Sequence, residues 1–226
     1  MTSISDDKKI SFIICTNDDG YADECERYIK NLYVPTGYEI DVFMITQAGS
    51  MAGGYNEGMG ATDAKYKIYL HQDVMIYKKD FIKNILKIFK SDDTVGMIGL
   101  VGNTVLPESA MHWDEGAVRV GGIYIDSLKE GFCKLFGKTE GDYGDVIVID
   151  GLLMATQYDI RWREDLFTGW HFYDLSQSME FRRAGYRVVP HMEEPWCFHD
   201  NDIHILGDEY HRYREIFLRE YGDDLK

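Results

Sequence analysis

Apolar positions along the chain alternate between short runs and helical stripes. Ile10 to Cys15 is a β-rich run ended by the polar turn Asn17-Asp18-Asp19-Gly20. Tyr21, Cys25, Tyr28, Ile29 and Leu32 then recur at helical spacing and predict a helix over 21–32. Tyr38 to Ile45 repeats the strand signature after the turn Pro35-Thr36-Gly37, and Tyr66 to Leu70 gives a third strand that runs into His71-Gln72-Asp73. Between these two, Gln47 to Gly60 is dense in glycine and small residues, which predicts a loop lying close against a ligand. Lys79 to Lys90 reads as an amphipathic helix, with Phe81, Ile82, Ile85, Leu86 and Phe89 as its stripe.

Val95 to Val101 predicts a buried strand. The strand and helix alternation to this point argues for an α/β fold with a mixed, mostly parallel central sheet. From Gly102 to Asp145 the pattern weakens, and Pro107, Trp113 and Gly121-Gly122 suggest a loop-rich insertion that shapes a site. Asp145 to Thr156 returns to strand but is broken at Asp150-Gly151, where a glycine signals a bulge or a close approach. Phe172 to Ala184 predicts a helix ended by Gly185 in the left-handed conformation, and Arg187 to Val189 a short strand stopped by Pro190. Tyr210, Tyr213, Phe217 and Tyr221 form the stripe of a last helix over 208–221.

Composition narrows the classes. The 226 residues are 45% hydrophobic, enough for one sizeable core, so a single domain is expected. A net charge of −15 argues against nucleic acid and anionic membranes as partners, because a polyanion needs a basic face. It also suggests that a phosphorylated substrate would be met with a divalent cation. No apolar run approaches the ~20 residues of a membrane span, and MTSISDDKKI lacks a signal-peptide core, so a soluble, cytoplasmic protein is expected. Cys15, Cys25, Cys133 and Cys197 form no Cys-x-x-Cys pair, which argues against a zinc cage or a disulfide framework.

Polar clusters lie where strands end or helices begin: Thr16-Asn17-Asp18-Asp19, His71-Gln72-Asp73, and a later set of His171, Asp174 and His199. Ligands of open α/β sheets bind outside the carboxyl ends of strands, which would set the first two clusters over one crevice. Asp73 follows the apolar strand YKIYL and suits Mg2+ or Mn2+, although a turn-capping aspartate would look the same. His199, in PWCFHDN, could complete a metal shell with Asp73, or be a satisfied core histidine. Asp174 opens a helix, where a carboxylate is equally a capping group favoured by the helix dipole.

The segments SFIICTND, SMAGGYNEGMGATDAKYKIYLHQDV, DGLLMAT and GWHFYDLSQSMEFRRAGYRVVPHMEEPWCFHDN together resemble the family 2 glycosyltransferases of the GT-A fold, in particular the StrF-like branch. The resemblance implies a single domain over 1–226, with a nucleotide-sugar half near 10–101 and an acceptor half over 102–226. His71-Gln72-Asp73 stands where that family carries its Asp-x-Asp metal and nucleotide motif, with His in place of the first Asp. It therefore implies Asp73 on the metal, His71 with Gln72 toward the ribose or uracil, and Thr16, Asn17 and Asp18 lining the nucleoside pocket. Ser50, Tyr55 and Asn56 would close over it, Asp174 would be the catalytic base, and His199 would contact metal or diphosphate. Trp113 and His171 are candidates for the acceptor pocket, since aromatic faces stack on sugar rings; Trp113 in a satellite core is the competing reading.

By the same resemblance the chain is expected to be an inverting transferase. It would move a sugar from a nucleotide-diphosphate sugar, a UDP-sugar above others, to a saccharide or other hydroxyl-bearing acceptor with Mn2+ or Mg2+. Three alternatives stand beside it. TNDDGYADE also resembles the metal-binding start of SurE-type nucleotidases, although that family's further metal-site segments have no counterpart here. An inactive nucleotide- or carbohydrate-binding domain would account for the substituted His71. A sugar nucleotidylyltransferase would need a Gly-rich basic loop after the first strand, which is missing.

Overall fold

A computed structural model describes residues 5–126, 132–138, 143–191, 194–200 and 206–225. Three parallel strands form its nucleus: β1 (Asp6–Cys15), β2 (Glu39–Ile45) and β3 (Ala64–His71). Helix α1 (Asp19–Lys30) joins the first two, and α2 (Met51–Gly60) leads from β2 to β3. In register Cys15 pairs with both Ile45 and His71, so the carboxyl ends of all three strands reach one edge. Beyond β3 lie β10 (Leu153–Thr156), antiparallel to it, then β5 (Val95–Gly99) and β11 (Arg187–Pro190), completing a six-stranded mixed sheet in the order β11-β5-β10-β3-β1-β2.

Side-chain alternation on the strands separates two cores. Phe12 and Ile14 of β1, with Ile68 and Leu70 of β3, pack toward α1 and α3 (Phe81–Ser91). Ile13 and Tyr69 face the other side, where α4 (Tyr173–Arg183) and α5 (Asp208–Tyr221) supply Leu175, Met179, Tyr213, Phe217 and Tyr221. Arg183 binds Glu220 at 2.9 Å and Asp224 at 2.7 Å, which ties α5 to α4. The last helix occupies the span its aromatic stripe predicts, and Gly185 ends α4 at φ 87°.

Two sequence expectations need correction. The predicted loop over 47–60 contains α2, capped by the Ser50 hydroxyl, which accepts the Gly53 N–H at 3.0 Å. Its glycines serve close packing: a Cβ on Gly54 would meet Ala48 Cβ at 2.8 Å and collide with Cys15, and one on Gly58 would collide with Ile13. The region 102–145 holds more strand than its pattern suggests. The expected strand over 95–101 divides at Leu100, and β6 (Val101–Val105) enters a second sheet with β4 (Val74–Ile76), β7 (Val118–Asp126), β8 (Phe132–Leu135), β9 (Val148–Ile149) and β12 (Cys197–Asp200). Gly102 and Gly121 hide this from periodicity; a Cβ on Gly102 would meet the Val148 carbonyl oxygen at 2.8 Å, and Gly121 at φ 98° passes against Leu100.

The break at Asp150-Gly151 separates β9 from β10 and also puts the two strands in different sheets. Cys15, Cys25 and Cys197 are buried and free, and Cys133 lies outside the described side chains. Among the described residues no helix is long and apolar enough to cross a membrane.

Candidate active site

The carboxyl edge of the parallel strands gathers the polar clusters. Gln72 turns its side chain toward the loop after β1, where its Oε1 accepts from Thr16 Oγ1 at 2.6 Å and from the Asn17 and Asp18 N–H groups at 3.0 and 3.1 Å. Its Nε2 donates to Asn17 Oδ1 at 2.7 Å. One side chain thus clamps the loop that the family resemblance assigns to a nucleoside. Asp18 caps α1, accepting the Gly20 and Tyr21 N–H groups at 2.9 and 3.0 Å. Asp19 lies in the first turn of that helix, so the Asn-Asp-Asp-Gly stretch acts locally as a helix start.

His71 and Asp73, on either side of Gln72, point the other way. Strand β12 pairs antiparallel with β4, and the Asp200 N–H donates to the Asp73 carbonyl at 3.1 Å, which carries His199 to the same spot. His199 Nε2 stands 3.3 Å from Asp73 Oδ2, and His71 Nδ1 stands 3.9 Å from Asp73 Oδ1. One ligand atom from each of the three lies within 4.8 Å of the others. Burial pushes the Asp73 carboxyl up, but the His199 hydrogen bond and the charges of His199 and His71 outweigh it and hold it below its ordinary value. His71 Nε2 is hydrogen-bonded to the Tyr173 hydroxyl.

Tyr173 and Asp174 are delivered by an unusual helix entry. Phe172, the residue before α4, sits at φ 63°, a left-handed conformation uncommon outside glycine, with its ring buried against Tyr210 and Phe217. The Asp174 carboxylate accepts the Gly151 N–H at 2.8 Å. A Cβ on Gly151 would meet Tyr173 Cζ at 2.8 Å and Asp174 Cβ at 2.9 Å, so the predicted close approach at the strand break is made by the start of α4. Burial, then the charge of Asp150, pushes the Asp174 carboxyl up to about 7.

A cleft of about 510 Å³ joins these groups; Asp73, His71, His199, Asp174, Trp113 and His171 all line it. Thr16, Asn17 and Asp18 occupy the neighbouring loop and do not line it, so the first polar cluster lies beside the crevice expected to hold the first two. Tyr55 is fully buried among Tyr69, Trp162 and Tyr173, Asn56 exchanges hydrogen bonds with the Trp162 backbone, and Ser50 caps α2. None of the three lines the cleft; Tyr55 meets it through Tyr173, at 5.9 Å between ring centroids. Trp113 is 40% exposed on the cleft wall and is not a satellite-core residue. Sequence reasoning passed over Asp150, His112, Trp170, Tyr173 and Tyr210, which line the cleft too. The break at Asp150-Gly151 was the available signal for the first of them.

This geometry sets two measurable outcomes. Gln72→Ala frees the Asn17 and Asp18 amides, and hydrogen exchange there should accelerate by at least ~10-fold while α4 amides are unchanged, as expected for losing a clamp worth more than ~1.4 kcal/mol. The native carboxyl of Asp174 titrates near 7 against 3.8 ordinarily, so the folded state binds this proton more tightly than the unfolded chain. The associated stability is full below the ordinary value and is lost as pH rises toward 7. Asp174→Asn should therefore raise the Tm relative to the unmutated chain at pH 8, with the gain fading by pH 4, as read in thermal scans.

Known proteins share this architecture. The profile of the Glycosyltransferase like family matches residues 11–221. No curated protein matches the chain. Among solved structures, the mannosyltransferase PcManGT from Pyrobaculum calidifontis in complex with GDP-Man and Mn2+ superposes with a TM-score of 0.56 at 13% identity, over 99% of this chain and 67% of that one. S. aureus TarS 1-349 in complex with UDP-GlcNAc gives 0.60 at 11% identity, over 96% of this chain and 68% of that one. These likenesses show the fold, a GT-A α/β domain with mixed sheets flanked, among the described residues, by five helices. With the family profile extending over nearly all of that fold, the chain belongs to the Glycosyltransferase like family.

Proposed function

We propose that the chain transfers a sugar from a nucleotide-diphosphate donor to an acceptor hydroxyl with inversion, assisted by a divalent cation. The observation that carries this reading is the meeting of the His71, Asp73 and His199 cluster with the raised-pKa Asp174 in one cleft. Its location at the carboxyl edge of parallel strands is where α/β sheets receive ligands. The structural neighbours lend support, since one was solved with GDP-Man and Mn2+ and the other with UDP-GlcNAc. A UDP-sugar remains the favoured donor, and the StrF-like branch the favoured subgroup. The donor would occupy the half over 10–101 and the acceptor the half over 102–226.

The donor set fits a metal. Two ligand atoms held ~2.1 Å from one ion can be no more than ~4.2 Å apart; His199 Nε2 to Asp73 Oδ2 at 3.3 Å and His71 Nδ1 to Asp73 Oδ1 at 3.9 Å each meet that limit, and with the three ligand atoms within 4.8 Å of one another a small inward shift would bring all three onto one ion. Two imidazoles and one carboxylate suit a borderline ion such as Mn2+, with Mg2+ the harder alternative. The His71 tautomer that donates Nε2–H to the Tyr173 hydroxyl would present its Nδ1 lone pair to an ion, the usual arrangement of a ligating histidine. A bound cation would stabilise the charge developing on the departing diphosphate.

The protein's own contribution is the proton transfer. As the acceptor oxygen bonds to the anomeric carbon, the carbon–oxygen bond to phosphate breaks and the nucleoside diphosphate departs with that electron pair. The hydroxyl proton passes to Asp174. A carboxylate titrating near neutral pH is matched to this task, and the Gly151 N–H holds it in place.

A thermal-shift panel of UDP-, GDP- and dTDP-sugars with and without Mn2+ tests the reading, since a ligand of the folded state raises Tm with concentration. At least one donor should stabilise the chain more with Mn2+ than without it, and Asp73→Ala should remove that difference. Equal stabilisation with and without the ion would take the metal out of the mechanism. Asp174→Asn should keep donor-dependent stabilisation and lower turnover by ~100- to 10,000-fold, the range of a positioned general base.

A further inference from the structure

The cleft wall also carries groups that neither form the metal-ligand cluster nor take the acceptor proton. His112 Nδ1 stands 3.8 Å from Asp150 Oδ2, and both residues line the cleft. Trp113 packs beside His112 with ring centroids 4.4 Å apart and reaches Tyr210 at 5.6 Å. Trp170 is 45% exposed on the same cleft.

This wall is built to hold its shape. Ala110 is fully buried at φ 55°, so among the described residues the two non-glycine left-handed positions are Ala110 and Phe172. One lies just before His112 and Trp113, the other just before Tyr173 and Asp174. Such conformations cost energy and persist where the surroundings over-determine them, often at ligand sites. The surroundings here are specific. The Ala110 N–H donates to the Pro107 carbonyl at 2.8 Å, Ser109 Oγ donates to Asp114 Oδ2 at 2.7 Å, and the buried Asn103 donates to the His112 carbonyl at 2.9 Å.

We infer that this wall is the acceptor subsite and that its ligand is a saccharide: Trp113 and Trp170 receive the apolar face of a sugar ring, while the His112–Asp150 pair holds a ring hydroxyl. The inference rests on the glycosyl-transfer reading. Aromatic faces match a pyranose ring because its axial C–H groups form a flat apolar patch, and the paired polar groups match the hydroxyls on its rim. Burial holds His112 below the ordinary imidazole range, with Asp150 opposing, so the ring is neutral near pH 7 and offers one donor and one acceptor. A neutral imidazole beside a carboxylate can bridge a vicinal diol. A lipid alcohol would leave that pair unmatched.

Tryptophan emission reads this directly. Trp162 and Trp196 are buried at 1% exposure each, so a ligand on the wall perturbs Trp113 and Trp170. The metal-free chain would be titrated through the millimolar range with the methyl glycosides of glucose, galactose and mannose, with N-acetylglucosamine, and with glycerol as a ringless polyol. At least one saccharide should give a saturable shift while glycerol gives none. His112→Ala should weaken that saccharide by ~10-fold, the loss of one good hydrogen bond. Trp113→Ala should do likewise, and Trp113→Tyr, which keeps a stacking face, should recover most of the affinity. No saturable response to any of the four saccharides would overturn the inference, as would equal responses to saccharide and glycerol. If the nucleotide panel fails while saccharides bind, the donor reading falls and the subsite stands. If nucleotides bind and saccharides do not, the subsite alone is lost.

Discussion

The hydrogen bond from the Gly151 N–H to the Asp174 carboxylate is the constraint on which the cleft depends. It fastens the first turn of α4 to the break between β9 and β10, and it can form only because residue 151 has no Cβ to strike Tyr173 and Asp174. Three consequences share that one contact. Tyr173 comes within reach of His71, Asp150 is set beside Asp174 closely enough to repel its charge, and the helix start faces the sheet edge where β3 ends. Burying a carboxylate in this way is unfavourable, and the amide bond with the positive end of the helix offsets only part of the cost. The remainder appears as an acidity close to neutral, which is the property a proton acceptor needs.

A second division of labour is written into three consecutive residues. Gln72 and Asp73 form the turn between β3 and β4, and this turn leaves His71 and Asp73 lining the cleft while Gln72 reaches the loop after β1. The same tripeptide therefore shapes the candidate metal cluster and stiffens the loop over 16–18. Strand β12 closes the arrangement from the second sheet by laying His199 opposite Val74. The cluster thus lies on the seam between two sheets, and neither sheet alone contains it.

Much of this was legible before any coordinates. The runs at β1, β2 and β3, the stripe of α5, the left-handed Gly185 and the break at Asp150-Gly151 all follow from local physical rules, and all are present. Helix α2 was not legible, because its glycines lower intrinsic helicity and were chosen for contact with Cys15 and Ile13, which no window of sequence reveals. Strands β6 and β7 escaped for a related reason: Gly102 and Gly121 mark places where one backbone crosses another. For the site, the residue types at 71, 73, 174 and 199 were readable from their positions at strand and helix ends. The burial of Tyr55 and the bonding of Asn56 to the Trp162 backbone were not legible, because motif resemblance carries position along the chain but not which face of a helix is covered. His112 and Asp150 could not be paired from sequence, since their contact is made by the strained turn at Ala110.

The charge inside the cleft bears on the proposed chemistry. Among the described residues its lining includes Asp73, Asp150 and Asp174 and contains no lysine or arginine. A diphosphate brought here with no positive counterpart would meet three carboxyl groups, and in a partly desolvated cleft like charges repel far more strongly than in water. Burial keeps the His112 ring neutral, so that side of the cleft offers a diphosphate no counter-charge. On the proposed function, positive charge would have to arrive with the substrate, and a divalent ion held by Asp73 and its two imidazoles would be the simplest way for a chain of net charge −15 to accept a phosphorylated donor.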